Sequence, residues 1–69
     1  MFYFFQRGSD FLQCEIRGDD GTGYDIIISE PRQSERKEHF STSTAAYERW
    51  LQLQENLVAE GWWGPHGRD

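Results

Sequence analysis

The chain has 69 residues, a single cysteine and a formal net charge of −5 from twelve acids and seven bases. That length allows one domain, close to the size at which a hydrophobic core alone is only marginally sufficient, so dimerisation is an expected aid to stability. The acidic balance argues against the basic footprint of a nucleic-acid binder, and no apolar run is long enough to span a membrane. Aromatic residues make up 16% of the chain against an apolar total of 36%, which points to a packed fold rather than disorder. The lone Cys14 and the lack of a signal-peptide pattern make a cytoplasmic setting the expectation.

The first element is a short aromatic strand, Phe2 to Gln6, with Phe2 and Phe4 on one face and Tyr3 and Phe5 on the other. Arg7, Gly8, Ser9 and Asp10 form a polar turn. The run from Phe11 to Arg17 alternates, with Leu12, Cys14 and Ile16 on one side and Gln13, Glu15 and Arg17 on the other, and reads as the clearest strand. A loop from Gly18 to Gly23, with three glycines and two aspartates, suits a hairpin connection. Tyr24 to Glu30 follows, with Tyr24, Ile26 and Ile28 sharing a face and Ile27 on the opposite one; Pro31 ends it. After a polar stretch from Arg32 to Glu35, Arg36 to Phe40 is a weaker strand, charged enough to sit at a sheet edge.

A helix starts directly afterwards. Ala46, Trp50, Leu53 and Leu57 form one stripe and Tyr47, Leu51 and Val58 lie beside it, while Glu48, Arg49, Gln52, Glu55, Asn56 and Glu60 fall opposite. Thr42 is the expected N-cap, and Gly61 is the expected left-handed stop, which makes Trp62 the residue that folds back on Leu57. The Tyr47, Leu51 and Val58 flank can pack under Trp62 and Trp63 or meet another chain.

Four short strands and a helix imply an α+β fold: a four-stranded antiparallel meander with one helix packed across one face, spanning residues 1–63, with a short C-terminal tail over 64–69. The buried sheet face is expected to hold Leu12, Cys14, Ile16, Ile26, Ile28 and Phe40, completed by either Phe2 and Phe4 or Tyr3 and Phe5. In the tail, Gly64 to Gly67 suits a type I turn. His66 and Arg68 beside exposed tryptophans offer a small anionic or peptide site, or the tail plugs into another protomer. The simpler expectation is that Trp62 and Trp63 cover the end of the core while the polar residues fray.

No cofactor is expected. His39, His66 and Cys14 lack metal-ligand spacing, and the loop Asp19 to Gly23 matches neither a calcium loop nor a dinucleotide-binding turn. Cys14 with His39 or His66 is the one nucleophile and base combination, and Cys14 lies on the face expected to be buried. A domain this small offers little room for a ligand pocket of roughly 300 Å³, so an enzyme is not expected. The primary expectation is a small, soluble, non-enzymatic protein-interaction domain, self-associating as a homodimer or binding another protein through an apolar surface. The candidate surface comprises Tyr3, Phe5, Phe11, Arg17, Ile27, Arg36, Lys37, His39, Trp62, Trp63, His66 and Arg68. A single-stranded nucleic-acid-binding module stacking bases on the same outer-face aromatics is the alternative.

Overall fold

The computed structural model describes residues 1–19, 21 and 23–68. Strands β1 (Phe2–Arg7), β2 (Asp10–Asp19), β3 (Gly23–Ser29) and β4 (Arg36–Phe40) precede helix α1 (Ser43–Ala59), and β5 (Trp63–Arg68) follows it. The strands form one sheet in the order β4-β3-β2-β1-β5 with every neighbouring pair antiparallel. The expected meander with a helix across one face is therefore present, extended by a fifth strand. Asp20 and Thr22 of the β2–β3 loop, and Asp69, lie outside the described residues.

The first hairpin decides which aromatics go inside. Arg7 pairs with Asp10 across a two-residue loop, Gly8 and Ser9, with Gly8 at φ 61°, the compact hairpin geometry that matches strand twist. That register sets Tyr3 opposite Cys14 and Phe5 opposite Leu12. Directly opposed residues of an antiparallel pair share a face, so Tyr3 and Phe5 join Cys14 and Leu12 beneath the helix.

The core is built from Phe5, Leu12, Cys14, Ile26 and Ile28 of the sheet, Trp50, Leu53 and Leu57 of α1, and Trp62, with Tyr3, Ile16 and Phe40 partly buried against them. Ala46 is buried as well. Burial of each large apolar side chain contributes about 1.5–3 kcal/mol. Trp50 is the central anchor, its ring centre 4.7 Å from that of Tyr3 and 6.1 Å from that of Phe5.

Both helix ends form as the residue types require. Thr42 is extended, and its hydroxyl accepts from the Ala45 amide at 3.1 Å. At the other end Gly61 adopts φ 93°, its amide donates to the Val58 carbonyl, and the Trp62 amide reaches back to the Leu57 carbonyl at 2.9 Å. Only glycine takes this left-handed position without a Cβ clash. A guanidinium completes the stop: Arg7 donates to the Glu60 carbonyl at 3.0 Å and lies 4.3 Å from the centre of the Trp62 ring.

The tail departs from expectation. Residues 64–67 do not form a type I turn between frayed ends; they lie within β5, which pairs with β1 from Phe2↔Arg68 to Gln6↔Trp63 with an irregularity between Phe4 and Gln6. The physical reason is that β1 would otherwise be a sheet edge with unpaired N–H and C=O groups, and the helix stop returns the chain alongside it. Gly64 allows the close approach, since a Cβ there would come within 2.8 Å of the Phe4 carbonyl oxygen. No helix among the described residues is long and apolar enough to cross a membrane.

Candidate interaction surface

The strand registers place a second set of residues on the sheet face away from α1. One row runs Phe2, Glu15, Ile27, Lys37; a second runs His66, Phe4, Gln13, Ser29; a third runs Trp63, Gln6, Phe11; and Arg17, Asp25 and His39 form a fourth. Of the candidate residues, Phe11, Arg17, Ile27, Lys37, His39, Trp63 and His66 are thus brought onto one face. Phe11 is 59% and Trp63 69% exposed, and the rings of Trp63 and His66 meet edge to face with centres 4.7 Å apart. Ile27 lies on this face yet is buried, between the stems of its cross-strand partners Glu15 and Lys37. Arg68 pairs with Phe2 along the backbone; its side chain lies outside what is described.

Four candidates are placed elsewhere. Tyr3 and Phe5 belong to the helix-side face, Phe5 fully enclosed, because the two-residue loop sets their register. Phe2 and Phe4, the other pair in that strand, are the aromatics left on the outer face. Trp62 is buried in the core, drawn there by the helix stop and the Arg7 stack, so only Trp63 of the tryptophan pair is presented; the expectation that both cover the core holds for Trp62 alone. Arg36 pairs with Ile28, which puts it on the helix side of β4, while Lys37 and His39 alternate outward.

Five charged or titratable side chains of the outer face pair with one another. Arg17 binds Glu15 at 3.1 Å. Asp25 receives His39 Nδ1 at 2.7 Å and Lys37 Nζ at 3.6 Å, and its carboxyl is held below the usual range, first by the His39 hydrogen bond and then by the Lys37 charge. Glu15 and Asp25 were not among the sequence candidates, although alternation along their strands puts both on this face. On the opposite side, Glu38 accepts from Arg49 of α1 at 2.8 and 3.2 Å; that bond lowers the Glu38 pKa and raises that of Arg49.

The nucleophile and base combination is not assembled. Cys14 shares the helix-side face with Tyr3 and Ile28, whereas His39 and His66 lie on the outer face. Burial pushes the Cys14 thiol up to about 12, which keeps it protonated and unreactive at neutral pH. Surface clefts are larger than the chain length suggests. One of about 400 Å³ is lined by Phe4, Phe11 and Pro31 with Ser9, Asp10, Gln13, Ser29 and Glu30. Another of about 450 Å³ runs between α1 and β5. The first lies on the outer sheet face beside the segment that follows β3, and only the second is a seam between sheet and helix.

No family model matches the chain, and no curated protein or solved structure is significantly similar to it.

Proposed function

We propose that the chain is a non-enzymatic protein-interaction domain that self-associates through the outer face of its sheet. The observation that carries this reading is the aromatic band of Phe2, Phe4, Phe11 and Trp63 on a face the helix does not cover. Its neighbouring charges already pair within the chain. Pressing such a face against a second sheet keeps Arg17 with Glu15, and Lys37 and His39 with Asp25, which lessens the cost of burying those charges. Strands about 4.8 Å apart over roughly four rows of side chains give a footprint on the order of 500 Å² per copy, about 1,000 Å² in total, the size of a weak, concentration-dependent interface.

The test is molar mass by light scattering over a wide concentration range, for the wild type and for Phe11→Asp. The expected result is a dimer that the substitution converts to a monomer with unchanged circular dichroism. A wild type that stays monomeric at the highest concentration would remove self-association.

Base stacking on the same aromatics has less support, because Arg17 and Lys37 each already face a carboxylate and Arg36 sits on the other side of β4. Phosphate contacts normally dominate such binding. Oligonucleotide affinity that falls steeply with salt would reverse the preference.

A further inference from the structure

The helix carries two stripes with the same spacing, one wholly apolar and buried, the other apolar at three of four positions and exposed there. Ala46, Trp50, Leu53 and Leu57 step by four, three and four residues and are buried against the sheet. Tyr47, Leu51, Gln54 and Val58 repeat that step one residue further on, and Tyr47, Leu51 and Val58 are 61%, 42% and 55% exposed. Steps of four and three are the seam spacing by which one helix seats side chains between those of another. At the Val58 end the stripe opens into the cleft whose far wall is Gly64 and Pro65 of β5, so a helix laid along it has a side wall at that end.

The charges beside this seam have one sign. Glu48 and Glu55 follow Tyr47 and Gln54 by one residue each and lie two turns apart on the same flank. Neither makes an ion pair among the described residues. Arg49, the one basic residue of α1, is held on the β4 side by Glu38. We infer that the outward stripe of α1 receives a basic amphipathic helix from a different protein, its apolar residues on Tyr47, Leu51 and Val58 and its lysines or arginines on Glu48 and Glu55. A second copy of the chain is the wrong occupant: antiparallel pairing of two such seams brings Glu48 toward Glu55 of the other copy, twice, without a cation between them. The chain's net charge of −5 also steers a basic segment toward it. The stripe belongs to α1, which covers the other face of the sheet, so it shares no residue with the outer sheet face.

The probe is a fluorescein-labelled 21-residue peptide of three heptads, with leucine at its seam positions and lysine beside them, compared with the same peptide carrying glutamate there. Fluorescence anisotropy at low salt is expected to show binding of the lysine peptide alone. Glu48→Lys with Glu55→Lys should weaken it by about tenfold or more and let the glutamate peptide bind instead. Leu51→Asp should abolish binding with the melting curve unchanged, whereas Phe11→Asp on the outer sheet face should leave it intact even if it dissolves a dimer. Three results would overturn the inference: no binding by either peptide, lysine-peptide binding indifferent to the two charge reversals, or a fall in the protein's own molar mass on Leu51→Asp.

Discussion

The two faces of the sheet are made from the same strands by alternate residues, and both are rich in aromatics. Tyr3 and Phe5 point one way and Phe2 and Phe4 the other; Leu12 and Cys14 alternate with Phe11 and Gln13. What separates the faces is their company. The helix side meets a second layer of apolar residues and keeps its Glu38–Arg49 pair at the rim. The outer side intersperses its aromatics with charges that bind each other. Apolar content therefore does not by itself tell a core from a surface, whereas the distribution of mutually satisfied charge does.

The largest expected contrast is between neighbouring phenylalanines. Phe5→Ala should cost about 3–5 kcal/mol, much of the stability of so small a domain, while Phe4→Ala at matched low concentration should cost about 1 kcal/mol. Urea unfolding followed by tryptophan fluorescence would show it, and equal losses would erase the distinction. Thiol labelling sharpens the same contrast: Cys14 in the native protein should react about a hundredfold slower or more than a cysteine placed at position 11 in a Cys14→Ala background. Comparable rates would mean that the helix side opens readily.

The smallest effect concerns acid. Asp25 on the outer face and Glu38 at the inner rim both have carboxyls below the ordinary range. A folded pKa below the unfolded one gives stability that is present above about pH 4 and is lost as pH falls through the depressed value. Asp25→Asn and Glu38→Gln should each flatten the acid limb of the urea midpoint between about pH 5 and pH 2. Glu38→Gln should do so more, since Arg49 holds that carboxylate with two bonds. Identical acid limbs in all three proteins would show that neither pair contributes.

Much of this arrangement was legible in the residues. Period-two alternation from Leu12 to Ile16 and the Ala46, Trp50, Leu53, Leu57 stripe named most of the core, and Thr42 and Gly61 marked the helix ends because caps depend on local chemistry. The face of the first strand is legible too, but only by treating Gly8 and Ser9 as the whole loop; a broader turn from Arg7 to Asp10 leaves open whether Phe2 and Phe4 or Tyr3 and Phe5 face the core. Three features were not local. Pairing of β5 with β1, the Arg7 contact with Trp62 and Glu60, and the Glu38–Arg49 pair each join residues that meet only after the helix has folded over the sheet. A polar segment such as His66 to Arg68 carries no hydrophobic period to announce a strand.

The position of β1 between β2 and β5 gives its two edges very different closure costs. Its pairing with β2 needs only the Gly8–Ser9 loop to close, but its pairing with β5 joins residues as far apart as Phe2 and Arg68 and carries the larger loop-closure cost. Successive residues of an antiparallel strand turn their backbone groups to opposite neighbours. Alternate amides of β1 therefore close loops of very different length, one set across a two-residue turn and the other across a span that includes the whole of α1.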